Sequence, residues 1–257
     1  MNRLVTLTTD FGIRDSYVAA MKGVMLSLVR DLQIVDVTHE IAPQDVACAA
    51  YQISTLMGLF PPDAIHVVVV DPGVGSDRQA LVLHTDLGTF VAPDNGVLTP
   101  ALIGAVVRDA RVISNPQVMQ PTISSTFHGR DVFAPAAAHL ALGEPLSHFG
   151  PPIESPVRLS LWDVEGGDGW VRGQIVHIDR FGNAITNLSR ADLPAGGLVV
   201  TVGSTRIGLS QTYSDADDDQ VLALIGSQDT VEVSVNGGNA HERLLFHRGD
   251  AVEVRVA

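Results

Sequence analysis

"IHVVVVDPGVGSDRQALVLHT" (residues 65–85) decides how the rest of the chain is read. A run of β-branched residues, apolar on both faces, ends in Asp71. That pattern suits the centre of a parallel sheet covered by helices. The proline and two glycines that follow force a tight turn in which the backbone comes close to whatever sits there. Arg78 comes next, and then another apolar run. The turn is not a nucleotide P-loop, because the G-K-[ST] ending is missing. Two readings stay open: an acid that stabilises its own turn with Arg78 as structural partner, or a charged pair delivered to a ligand.

The neighbouring segments supply the sheet. "LVTLTTD" (4–10) and "IVDV" (34–37) read as strands before "AIHVVVV" (64–70). "SYVAAMKGVMLSLV" (16–29) has helical spacing, and "PQDVACAAYQISTLMGLF" (43–60) reads as a second helix closed near Gly58. "ALVLHT" and "GTFVAP" form a hairpin, "NGVLTPALIGA" carries a short helix, and "VVRDARVI" is a strand. "GRDVFAPAAAHLALG" (129–143) is helical, with Pro135 expected to bend or interrupt it. After the proline-rich connector "GPPIESPVRL" (150–159) the rhythm becomes short strands and turns: "GWVRGQIVHID", "LVVTVG", "TRIGLS", "TVEVSVNGG" and "AVEVRVA". The expected fold class is α/β: an N-terminal α/β domain (1–157) with a largely parallel sheet, and a C-terminal all-β, barrel-like domain (158–257). "DADDD" (215–219) reads as a solvated acidic loop.

The 257 residues carry 46% hydrophobic and 18% charged side chains, the balance of a folded chain with a sizeable core. A net charge of −13 argues against nucleic acid as a partner. Cys48 is the only cysteine, so an internal disulfide and a thiol-rich metal site are excluded; it reads as a small buried hydrophobe. "MNRLVTLTTDFG" reaches Asp10 before a long apolar stretch develops and is not expected to be an export signal. No apolar run approaches the roughly 20 residues of a membrane span. A soluble cytoplasmic protein without a membrane partner is expected.

Several side chains have the chemistry of a site. Asp10 ends the first strand in a glycine turn, where open α/β sheets place ligand groups. A carboxylate there is able to accept from both hydroxyls of a ribose; equally, acids cap helices and close turns. Asp15, just before the first helix, is open to the same two readings. His128, in "STFHGRDVFAP", precedes a glycine at a helix entrance and is either a proton acceptor facing a cleft or a surface histidine. Arg130 and Asp131 read as a structural pair. "HIDRFGNAITNL" (177–188) offers Asp179, Phe181, Asn183 and Asn187, a mix that suits a purine and an amino group but also a plain turn. Asp36, His39, His66, His84 and Asp86 have no metal-ligand spacing, and no G-x-S-x-G elbow is present.

Taken together, "TTDFGIRDSYVAAMKG", "VDVTHEIAPQDVACAA", "VVVVDPGVGSDR", "APDNGVLTP", "STFHGRDVFAPAAAHL" and "IDRFGNAITN" resemble the S-adenosyl-L-methionine hydroxide adenosyltransferase family. The resemblance runs in order over nearly the whole chain. It implies cleavage of S-adenosyl-L-methionine by water to adenosine and L-methionine, with no metal or organic cofactor. It implies a homotrimer with each site between the N-domain of one subunit and the C-domain of the next. It implies that Asp71, Arg78 and His128 handle the water and Asp10 the ribose hydroxyls. Asp15 and Tyr17 fall at the methionine end, Asp179 at its ammonium, and Phe181 and Asn183 at the adenine. In "SQDTVEVSVNGG" (227–238), Ser227 aligns with the methionine end and Asn236 or the Gly237 backbone with the adenine. Gln228 stands where the related halogenases use a basic residue.

The implied reaction is displacement at C5′. The sulfonium leaves readily, so the difficulty is the nucleophile: bulk water has a pKa of about 15.7. His128 is the acceptor its chemistry suggests, Arg78 would stabilise the hydroxide-like oxygen, and Asp71 would orient Arg78 or accept from the water; which of the three takes the proton stays open at this point. Three alternatives compete: a halide-using enzyme on the same fold, a non-catalytic S-adenosyl-L-methionine or adenosine sensor, and a metal-dependent hydrolase. The halogenases carry an inserted loop and lack the Asp-Arg-His set, whereas here the path from "LVLHT" to "APDNG" is short.

Overall fold

The computed structural model describes residues 4–257, in two units, the first ending at Leu159 and the second spanning Ser160–Ala257. Residues 1–3, the start of the stretch not expected to be an export signal, lie outside the described residues.

The first unit contains β1 (Leu4–Thr9), α1 (Tyr17–Leu28), β2 (Gln33–Thr38), α2 (Val46–Ser54), β3 (Ile65–Val69), β4 (Ala80–Thr85), β5 (Gly88–Pro93), α3 (Thr99–Gly104), β6 (Val107–Val112) and α4 (Ala134–Ala141). Its sheet has the order β2-β1-β3-β5-β4-β6. The β1–β2, β1–β3 and β3–β5 pairs are parallel, and β4 is antiparallel to both β5 and β6. The doubly apolar pattern of β3 has a direct cause. Val67 and Val69 join the core under α1 and α4, while Val68 and Val70 join the opposite core with Ala49, Ile53 and Ala101. In α4, Ala134, Ala136, Ala137, Ala138 and Ala141 are all buried, and their small side chains let the helix lie close to α1 and the sheet.

Two helices differ from expectation. α2 begins only at Val46, because the Asp45 carboxylate caps it by accepting from Cys48 N–H at 2.9 Å. It ends at Ser54, where the Ser54 and Thr55 hydroxyls donate to the carbonyls of Tyr51 and Gln52 and compete with the helical ladder. The segment around Pro135 starts as a π-helical turn, Gly129–Phe133, before α4. Proline has no N–H for the Asp131 carbonyl, which instead accepts from Gln120 N–H at 2.8 Å. Cys48 is partly rather than fully buried.

The second unit contains β7 (Glu165–Gly167), β8 (Trp170–Ile178), β9 (Ala184–Ser189), β10 (Leu198–Val202), β11 (Thr205–Gly208), β12 (Val221–Ile225), β13 (Thr230–Val235), α5 (Ala240–Leu244) and β14 (Ala251–Val256). The antiparallel order is β11-β10-β14-β8-β9-β13-β12, with β7 beside β8. A bridge between Leu209 and Ala223 brings the two ends together, so the sheet is nearly closed and barrel-like, as the α/β-plus-barrel expectation required. Strands β9 and β12 lacked an evident signal: "AITNLS" is hidden in a turn-rich motif and "VLALI" follows the acidic loop. Among the described residues no helix is long and apolar enough to cross a membrane.

Candidate active site

The chain leaves β1 for β2 on one side and later returns to β3 on the other. The carboxyl ends of β1 and β3 therefore form a topological switch point, the usual ligand crevice of open α/β sheets. A cleft of about 350 Å³ opens there, lined by Asp10, Tyr17, Asp71, Phe127 and His128 among others.

Asp71 and Arg78 form a two-pronged pair. Arg78 Nε donates to Asp71 Oδ1 at 2.8 Å and Nη2 donates to Oδ2. Nη2 also lies 3.0 Å from His128 Nδ1, and the guanidinium carbon sits 5.3 Å from the centre of the Phe133 ring. The glycine turn makes this possible. Gly75 has φ +78°, and a Cβ there would collide with the Ser125 carbonyl oxygen, so the turn lies directly against the segment leading to His128. Asn95, in "APDNG", donates from Nδ2 to the Val70 carbonyl at 2.9 Å and braces the residue before Asp71.

His128 is presented by the π-helical turn. Asp131, 1% exposed, anchors that turn by accepting from Ser124 N–H at 2.8 Å and from Arg130, the pairing expected from sequence. Burial, and then the Arg78 charge, push the His128 pKa below its ordinary 6.5; Asp71 and Asp131 pull the other way. The shift favours the neutral imidazole. Arg78 only donates, so Nδ1 is the accepting nitrogen and Nε2 carries the hydrogen.

Asp10 accepts from Gln44 N–H at 2.7 Å. Burial raises its pKa, the Gln44 N–H opposes this, and the Asp71 charge adds a smaller upward push. Phe11, Tyr17 and Phe127 meet ring to ring, with centroids 5.1–5.7 Å apart, and give the cleft an aromatic wall. Sequence reasoning passed over Phe11, Phe127, Gln44 and Asn95; the two phenylalanines directly adjoin Asp10 and His128, which was the available signal. Asp15 is exposed and outside the cleft lining.

The second unit holds the other expected residues. Asp179 Oδ1 accepts from the N–H groups of Phe181 and Asn183, both at 2.9 Å, and Oδ2 accepts from Asn183 Nδ2 at 3.0 Å. This leaves Phe181 72% exposed on the turn. Ser227 and Gly237 are exposed, and Asn236 Nδ2 donates to the Ala216 carbonyl. Asn187 is not available to a purine: it is buried, accepts from Gln174 N–H and donates to the Leu161 and Asp163 carbonyls. His66 is a core residue, bonded to Thr6 at 2.9 Å, stacked on Phe90, and pushed by burial to a pKa of about 4. Among the described residues no three His, Cys, Asp or Glu side chains are placed to hold a metal ion.

A two-faced α/β sheet with charged residues gathered at its switch point defines a small-molecule site. The chain belongs to the SAM hydroxide adenosyltransferase family, matching its N-terminal domain over residues 5–150 and its C-terminal domain over residues 173–253. It is 40% identical to the (R)-S-adenosyl-L-methionine hydrolase of Thermus thermophilus, covering 98% of this chain and 99% of that protein. A fluorinase of Nocardia brasiliensis is 29% identical, covering 98% and 97%. A crystal structure of a conserved protein from Thermotoga maritima superposes with a TM-score of 0.90 at 33% identity, covering 98% and 99%.

Proposed function

We propose that this chain hydrolyses S-adenosyl-L-methionine to adenosine and L-methionine by attack of a water-derived oxygen on the ribose C5′. The observation that carries the reading is one cleft holding Asp10, Asp71 and His128, with Arg78 joining the last two. Asp10 takes the ribose hydroxyls, and Asp71, Arg78 and His128 hold the nucleophile. Tyr17, in the cleft wall, serves the methionine end, and Asp15, exposed outside that lining, is assigned to the same end by the family resemblance. The relatives' names point to the (R) sulfonium epimer, and we assign the same epimer here. Sulfonium sulfur is pyramidal, so inversion exchanges the directions of the methyl and methionine arms, and a shaped cleft separates the two forms.

The set works chiefly by donation. With Nδ1 engaged by Arg78, His128 offers Nε2–H to the oxygen, and the guanidinium adds positive charge. Both favour a hydroxide-like water, and the proton it sheds passes to the Asp71 carboxylate, the acceptor left in the set, and from there to solvent. For His128 to take the proton itself, the Arg78–Nδ1 bond must first open. Attack joins a developing anion to a cation, so charge disappears at the transition state and a dry cleft assists.

We infer two domains, 1–157 and 158–257, and a cytoplasmic homotrimer. In this assembly Asp179, Phe181, Asn183, Ser227, Asn236 and Gly237 of a neighbouring copy complete each site. Phe181, 72% exposed on its turn, is open to a ligand or to another chain in this arrangement. Mass measurement in solution tests the trimer. The activity is tested by incubating each epimer in heavy-oxygen water without added metal. Adenosine labelled at its 5′ oxygen, together with methionine, is expected. A 5′-halogenated nucleoside in the presence of halide, or retained ligand without turnover, overturns the reading.

A further inference from the structure

The segment "VDVTHEIAPQD" (35–45) reaches the cleft at Gln44, whose N–H meets Asp10, and further back it holds a buried histidine, His39, at 5% exposure. His39 Nδ1 is 2.9 Å from Thr9 Oγ1. Thr9 Oγ1 in turn accepts from Phe11 N–H at 3.3 Å. On the other side of the ring, Nε2 lies 3.1 Å from Asp36 Oδ1, within ion-pair reach although not aligned as a hydrogen bond. Asp36 Oδ2 accepts from Lys22 Nζ at 2.6 Å. Burial alone would raise the Asp36 pKa, but the Lys22 and His39 contacts outweigh it and hold the carboxyl below its usual range. The main chain repeats the connection, since Gly12 N–H donates to the His39 carbonyl at 2.7 Å.

His39 thus grips both ends of the segment Thr9–Gly12, which carries Asp10. β1–β2 pairing shifts register after Leu7 and ends at the Thr8–Thr38 pair, so past it the Asp10 segment is tied to residues 35–45 by the His39 contacts and by Gln44 N–H on the Asp10 carboxylate. Beyond that pair, no strand ladder fixes Asp10 from the β2 side. The donor logic is consistent along the chain. Asp36 only accepts, so it faces the protonated Nε2; Nδ1 accepts the Thr9 hydroxyl, and the Thr9 oxygen accepts Phe11 N–H.

We propose that His39, backed by Asp36 and Lys22, is a positioning residue that aims the Asp10 carboxylate at the ribose hydroxyls. The inference rests on the assignment of Asp10 to the ribose. A carboxylate that must meet two hydroxyls at once loses affinity when its loop loosens, whereas the displacement at C5′, handled by Asp71, Arg78 and His128, proceeds at its native rate once substrate is bound.

The test compares native protein with Thr9→Val, His39→Ala, His39→Asn and Asp10→Asn. Calorimetric titration gives affinities for adenosine and for 2′,3′-dideoxyadenosine, steady-state kinetics separate kcat from KM, and melting curves monitor folding. Thr9→Val and His39→Ala are expected to weaken adenosine about tenfold, with the dideoxynucleoside unchanged, KM raised and kcat within about threefold. His39→Asn keeps a polar atom near the Nδ1 position and is expected to restore most of the lost discrimination. If His39→Ala does not fold, Thr9→Val and His39→Asn carry the test. Equal weakening of both nucleosides, a loss confined to kcat, or unchanged adenosine binding by Thr9→Val overturns the inference. If native protein does not distinguish the two nucleosides, the ribose assignment falls and the inference with it. If Asp10→Asn loses the distinction while Thr9→Val and His39→Ala keep it, only the positioning role falls.

Discussion

Replacing Arg78 by lysine keeps a positive charge beside Asp71 but removes the fork that reaches two partners at once. The Arg78 and Asp71 side chains are 11% and 5% exposed, so water screens the pair poorly. Lysine reaches one carboxylate oxygen, and the 2.8 Å Nε–Oδ1 bond and the 3.0 Å contact to His128 Nδ1 are lost. Hydrogen bonds to charged groups contribute about 1.5–3 kcal/mol each. Lysine recovers part of this, leaving a folding loss of about 2 kcal/mol, or roughly 4–8 °C in Tm for a chain of this size. The catalytic loss is larger. Without Arg78 at Nδ1 the Nε2–H of His128 that meets the oxygen is no longer fixed, and loss of one such preorganised donor lowers kcat by about 10²–10³. KM should change little, because Arg78 meets the nucleophile and not the nucleoside. Chromatographic measurement of adenosine release from the purified variant, with a melting curve on the same sample, provides both numbers. A kcat within tenfold of native, or a loss appearing only in KM, would refute the reasoning.

Other expectations follow from the same geometry. His128→Gln places an amide N–H near the Nε2 position and should retain far more activity than His128→Ala, which should lose about 10²–10⁴ in kcat; equal losses would make His128 the base instead. Histidine resonances followed by NMR should show His128 titrating below its ordinary 6.5, and Arg78→Met should move it upward by removing a charge that disfavours the imidazolium. A native titration at or above 6.5 contradicts that electrostatic account. Gly75→Ala should cost about 1–3 kcal/mol in denaturant unfolding, from a positive φ and a collision with the Ser125 carbonyl. Unchanged stability would mean that the turn is not packed as described.

Periodicity and punctuation explain how much was legible. The doubly apolar 65–70 run suited a central strand, and the structure buries it between a core on each face of the sheet. The position of Asp10 and Asp71 at strand ends was likewise readable, since an open α/β sheet places ligands there. The helix 43–60 was overread at both ends: capping by Asp45 and the local hydroxyl bonds of Ser54 and Thr55 are side-chain geometry that apolar spacing does not encode. Strand β9 was missed because its turn-forming residues dominate a short window.

The amino-acid order by itself determined the class of fold, the family resemblance and the charged residues open to ligand. These depend on local pattern and on motifs kept in register along the chain. Only the tertiary structure decided that Arg78 bridges Asp71 and His128, and thereby which imidazole nitrogen is free. It alone withdrew Asn187 from the site and brought His39 beneath the Asp10 segment. The physical reason is distance along the chain. Arg78 and His128 are 50 residues apart, and His39 and Thr9 are 30 apart. Such contacts are made by sheet order and turn geometry, which the sum of local preferences leaves open.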